Sequence, residues 1–69
     1  MKWTTEHINR IAQKVIDRGG TYDTLTYRYY VVHYANGAWH LWRCVLCDTG
    51  HTPPEDLGAT TIFNQPKRG

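Results

Sequence analysis

Residues 24–47 read T-L-T-Y-R-Y-Y-V-V-H-Y-A-N-G-A-W-H-L-W-R-C-V-L-C, and this stretch decides the fold. Asn36-Gly37 separates two β-rich segments, and Asn-Gly between such segments is the strongest short-range hairpin signal. With Asn36 and Gly37 as a two-residue turn, His33 faces His40, Val31 faces Trp42, Tyr29 faces Cys44 and Tyr27 faces Leu46. Side chains alternate between the faces of a strand, so these eight share one side. The other side holds Arg28, Tyr30, Val32, Tyr34, Trp39, Leu41, Arg43 and Val45. The hairpin contains two arginines and no acid, and both arginines fall in the second set. That makes the second set the expected outer face. One extra residue in the turn would shift these pairs.

Upstream, residues 5–18 read as a helix. Ile8, Ile11, Ala12, Val15 and Ile16 recur at the spacing of one apolar stripe. Thr4 or Thr5 can cap its N-terminus, Glu6 suits the positive end of the dipole, and Gly19-Gly20 supplies the stop. Downstream, D-T-G-H-T-P-P-E-D-L-G (residues 48–58) reads as a loop, since Pro53-Pro54 cannot join a central strand. Residues 59–64 (A-T-T-I-F-N) read as a short third strand. The expectation is an α+β fold, one N-terminal amphipathic helix packed on a two- to three-stranded antiparallel sheet in the order α-β-β-(β). Residues 1–64 form the single domain, and 65–69 a disordered basic tail. The apolar stripe (Ile8, Ile11, Val15 and Ile16) is expected to meet either Val31 and Trp42 or Val32 and Leu41, and the arginines favour the first pair.

The chain has 69 residues and net charge +2. Lys67 and Arg68 account for that charge, and residues 1–66 carry equal numbers of basic and acidic side chains. A binder driven by phosphate contacts usually has a clear basic excess. A chain this short buries a modest fraction of its surface, which raises the weight of self-association or a metal. No apolar run approaches the ~20 residues needed to span a bilayer. The N-terminus leads into an amphipathic pattern, unlike the apolar core of a signal peptide. A cytoplasmic protein with reduced cysteines is the expectation.

Cys44-Val45-Leu46-Cys47 followed by Asp48-Thr49-Gly50-His51 has the flavour of a zinc knuckle, where a glycine turn presents two thiolates to one ion. Cys44, Cys47 and His51 are therefore the candidate metal ligands, although a second Cys pair is absent. Within one strand, Cys44 and Cys47 point to opposite faces, so zinc requires the strand to end by Val45. The sequence reading is no metal and no cofactor, with a zinc-stabilised domain as a further alternative. The facing pair His33 and His40 has no serine or cysteine beside it, and the chain contains no serine at all. Glu55 and Asp56 are adjacent in a proline loop, a spacing that favours solvation. These features point away from an enzyme.

The outer hairpin face is the main candidate site. Arg28, Tyr30, Tyr34, Trp39 and Arg43 are residue types that dominate protein-interaction hot spots. The same set can stack single-stranded bases, with a helix stripe of Arg10, Lys14 and Arg18 assisting. Zero charge over residues 1–66 places a protein partner ahead of nucleic acid, and no membrane is implied. A homodimer would also cover the rings. In size and style the chain resembles the small stand-alone proteins that bacteriophages and mobile elements encode to bind and inhibit a host protein.

Overall fold

The computed structural model describes residues 3–46 and 52–64. Helix α1 spans Thr5–Asp17. Thr4 caps it, its side-chain oxygen accepting the His7 backbone N–H at 3.1 Å. At the other end Gly19 N–H donates to Ile16 O and Gly20 N–H to Val15 O, with Gly19 at φ +88°. This paired closure is a Schellman stop, which needs the left-handed residue that glycine supplies. Ile8, Ala12 and Val15 are buried and Ile11 is half-buried, but Ile16 lies at the margin of the stripe and is 42 % exposed.

Four antiparallel strands follow: β1 (Tyr22–Asp23), β2 (Tyr27–His33), β3 (Trp39–Val45) and β4 (Glu55–Thr60), in the spatial order β1-β2-β3-β4. A short 3₁₀ turn, η1 (Ile62–Asn64), closes the described chain. The α+β class with one helix on an antiparallel sheet is as the sequence indicates. The sheet has two more strands than the hairpin alone. The final strand is also earlier than expected: it runs from Glu55 to Thr60, and Ile62–Asn64 is helical. Pro53-Pro54 stands just before β4, where a missing N–H costs no ladder bond. Residues 65–69 and 47–51 lie outside the described residues.

The hairpin turn is longer than two residues. Tyr34 N–H donates to Ala38 O, and Gly37 N–H donates to Tyr34 O. Gly37 has φ +90°, and among the described residues none other than glycine has positive φ. A two-residue type I′ turn needs positive φ at both Asn36 and Gly37. Here Ala35 and Asn36 form a type I turn and Gly37 supplies the left-handed residue after it, the three-residue hairpin. Asn36 stabilises it by accepting the Ala38 N–H at 2.9 Å.

This extra residue moves β3 by one position. His33 pairs with Trp39, Val32 with His40, Val31 with Leu41, Tyr30 with Trp42 and Tyr29 with Arg43. The expected pairs, including His33 with His40, are therefore corrected, and the faces of β3 are reversed relative to β2. The helix-facing side carries Tyr27, Tyr29, Val31, Trp39, Leu41 and Arg43; Leu41 is fully buried with Ile8, Ala12, Val15 and Tyr29. At the core the helix meets Val31 and Leu41, one residue from each of the two expected pairs, because the register shift brings them opposite one another.

β4 contains a bulge. Leu41 pairs with Gly58 and Trp42 with Asp56, leaving Leu57 as the extra residue. Gly58 adopts φ +129°, and a Cβ placed there would lie 2.9 Å from Ile8 Cδ1. The backbone of β4 thus approaches the helix where no side chain fits. Asn9 joins the same two elements: its Oδ1 accepts Thr60 Oγ1–H and Thr61 N–H, and its Nδ2 donates to Thr61 Oγ1 at 2.8 Å.

Candidate binding face

The helix covers one face of the sheet. On the other face stand Arg28, Tyr30 and Val32 from β2, Tyr34 from the turn, and His40, Trp42 and Cys44 from β3. Asp56 joins them from β4, opposite Trp42. Tyr30, Val32, Tyr34, His40, Trp42 and Cys44 are all half-buried. Their exposed area forms a surface of rings and aliphatic groups beside a small polar network.

Asp56 is the centre of that network. Its carboxylate accepts the Tyr34 hydroxyl at 2.9 Å, the Gly58 N–H at 2.9 Å and His40 Nδ1 at 3.0 Å. The Tyr34 oxygen in turn accepts Trp42 Nε1–H at 3.1 Å. The Tyr34 and His40 rings stack face to face, 4.2 Å apart and 5° from parallel. Partial burial opposes the charge on Asp56, but the bonds from His40, Tyr34 and Gly58 outweigh it and hold the carboxyl below its ordinary range. Desolvation, helped by the Asp56 carboxylate, raises the Tyr34 hydroxyl above its ordinary value, so Tyr34 stays a neutral donor at pH 7. Because a carboxylate only accepts, Nδ1 of His40 carries the proton of that bond.

Three ring systems, those of Tyr34, His40 and Trp42, are thereby locked in position before any ligand arrives. Such preorganisation lowers the entropy lost on binding. The bulge at Leu57 is what aims Asp56 at the network while Glu55 points to the other side. Arg28 sits at the border of the face with both guanidinium bonds committed to Asp23, at 2.9 and 3.0 Å. The carboxylate bonds first, then the opposite charge, raise Arg28 and lower Asp23. The pair is exposed, and each member neutralises the other.

The sequence-derived set is divided by the register. Arg28, Tyr30 and Tyr34 share the open face. Trp39 lies on the helix side, stacked between His33 at 4.3 Å and Phe63 at 4.4 Å. Arg43 is on that side too, over the Tyr27 ring at 4.1 Å and near Trp3 at 5.6 Å, with Nε 2.6 Å from Glu55. Trp42 takes the place the sequence reading gave to Trp39. Asp56 was missed, since only a bulge in a strand following two prolines brings it opposite Trp42. The Gly58 that follows two residues later was the available signal.

The basic stripe also separates from this face. Arg10 pairs loosely with Glu6 at 3.7 Å, while Lys14 and Arg18 lie over the Tyr22 ring at 5.8 and 5.2 Å. Tyr22 stacks on buried Tyr29, so these cations flank the helix side of the sheet. Cys44 is a free thiol on the open face, roughly 13 Å along the strand from His40 at ~3.3 Å per residue. Cys47 and His51 lie outside the described residues. Among the described residues no three His, Cys, Asp or Glu side chains gather as metal ligands, and no helix is long and apolar enough to cross a membrane. Comparison of the chain with protein-family models, curated proteins and solved structures finds no match.

Proposed function

We propose that this chain is a small non-enzymatic binding protein that engages a protein partner through the open sheet face, with Tyr30, Tyr34 and Trp42 as anchors and Arg28 at the rim. The observation that carries this reading is the Asp56-centred network. It fixes Tyr34, His40 and Trp42 in one orientation on the face that the helix leaves open. Aromatic anchors surrounded by satisfied polar groups are the usual composition of an interaction hot spot. The face has little net charge to attract phosphates, because Arg28 is neutralised by Asp23 and the helix cations are on the other side. A protein surface is therefore favoured over nucleic acid. Inhibition of the partner and a cytoplasmic setting are the finer forms of the same proposal.

The test compares the parent chain with Tyr30→Ala and Trp42→Ala as baits in extracts of the source organism, followed by titration of the purified partner. A discrete protein retained by the parent, and weakened by about 2 kcal/mol or more in the variants, supports the reading. Circular dichroism must show the variants folded, with Trp42→Ala the more demanding because it removes a donor to Tyr34. Equal retention by parent and variants removes the proposed site. Oligonucleotide binding that falls steeply with salt would assign the face to nucleic acid instead.

A further inference from the structure

The edges of the sheet differ in how they are protected. On the β4 side, Pro53-Pro54, the acids Glu55 and Asp56, the Leu57 bulge and the Asn9 clamp on Thr60 and Thr61 all discourage another strand from pairing. These are the devices by which proteins normally blunt an edge. The other side is different. β1 covers β2 only at Arg28 and Tyr29. Beyond Tyr29, no strand among the described residues pairs with that edge.

The direction of the free backbone groups follows from the two ends of the hairpin. Tyr34 N–H bonds Ala38 O and Leu46 N–H bonds Thr26 O, so the even-numbered residues of β2 exchange bonds with β3. Thr24 N–H bonds Tyr27 O, so the odd-numbered residues face the β1 side. Alternation along an antiparallel strand then aims the N–H and C=O groups of Val31 and His33 outward. No lysine, proline, bulge or acid protects this segment. Residues 30–34 (Y-V-V-H-Y) carry no formal charge, so an identical segment meets it without repulsion.

The segment is also close to palindromic. Antiparallel pairing of two copies centred on Val32 sets Val31 of one opposite His33 of the other, with four backbone bonds between them. Val32 then faces Val32, and Tyr30 faces Tyr34, on the open sheet face. A two-fold contact requires such self-complementarity, whereas an arbitrary peptide does not. We infer that the chain pairs with a second copy of itself through the β2 edge at Val31–His33, joining two four-stranded sheets into one and their open faces into one platform. The inference rests on backbone geometry and is independent of the partner proposed above.

Sedimentation across micromolar to millimolar concentration tests it, with three variants. The parent is expected to show the mass of two chains at the upper concentrations. His33→Pro removes an outward N–H without breaking a hairpin bond, and Val32→Lys sets two ammonium groups against each other across the two-fold. Both are expected to sediment as monomers, with circular dichroism confirming that each is folded; either one folded is sufficient. In a C44S/C47S background, V32C is expected to form an intermolecular disulfide. Its Cα atoms would lie about 4.5 Å apart in a pair without hydrogen bonds, within the roughly 4.4–6.8 Å that the bond accepts. A parent chain that stays monomeric throughout overturns the inference. So does a dimer that persists in folded His33→Pro or Val32→Lys, or one in which V32C does not crosslink.

Discussion

Replacing Gly58 by alanine should destabilise the fold more than any other single-methyl addition to this sheet. Two independent costs combine at that position. The backbone is at φ +129°, a region that residues with a Cβ occupy only under strain of about 1–3 kcal/mol. The new Cβ would also stand 2.9 Å from Ile8 Cδ1, and Ile8 is only 4 % exposed, so its methyl has little room to retreat. Overpacking of a filled core costs about 1–3 kcal/mol, and because the atom in the way is the far end of a flexible side chain, the lower part applies. The two together suggest about 2–4 kcal/mol. For a domain of this size, whose total stability is about 3–10 kcal/mol, that is a large fraction.

Urea and thermal unfolding followed by circular dichroism would measure it, with an expected loss of about 10–30 °C in Tm. Ile8→Val separates the two costs. In the parent it should cost about 0.5–1.5 kcal/mol, since it deletes a buried methyl. In Gly58→Ala it removes the clashing atom, so it should cost less or even stabilise, and what remains is the backbone strain. Gly58→Ala within about 0.5 kcal/mol of the parent would refute the close approach of β4 and α1. A full Ile8→Val cost in both backgrounds would refute the steric half alone.

Other outcomes test the polar links. Asp56 has a folded pKa below its unfolded value, so the unfolded chain binds more protons in that range and stability rises with pH there. Its contribution is fully present above the unfolded carboxylate value of about 3.9 and is lost as the pH falls through the folded one. Asp56→Asn should therefore flatten the acid limb of a stability–pH profile; an identical acid limb would show that the network does not hold the carboxylate charged. Asn9→Ala leaves the buried Thr60 hydroxyl without its acceptor and should cost about 1–3 kcal/mol, with Thr60→Val in the same chain restoring part of it. Equal unfolding midpoints for the single and double variants would contradict that account.

Much of this fold is legible from local chemistry. The spacing of Ile8, Ala12 and Val15, the cap at Thr4 and the paired glycines define α1 almost to the residue, because each signal acts within one turn of helix. Asn36-Gly37 marks the reversal of the hairpin for the same reason. β4 is less legible: Glu55 and Asp56 have poor strand propensity, and only pairing with Arg43 and Trp42 makes their segment extended. The site divides likewise. Tyr30 and Tyr34 follow from alternation along β2, but choosing between Trp39 and Trp42 requires the register.

The sequence by itself determined that a helix packs on an aromatic antiparallel hairpin. Its periodicities of 3.6 and 2 leave few other ways to bury Ile8, Ala12, Val15 and Tyr29 together. Which rings of β3 face outward was decided only by the tertiary structure. Asn-Gly suits both a two-residue turn and a three-residue turn that keeps Asn36 at negative φ, and the two differ by a single residue. In a strand of period two, that residue exchanges every side chain between core and surface. Burial of Leu41 beneath the helix selects the longer turn, which turns Trp42 outward into the reach of Tyr34 and opposite Asp56.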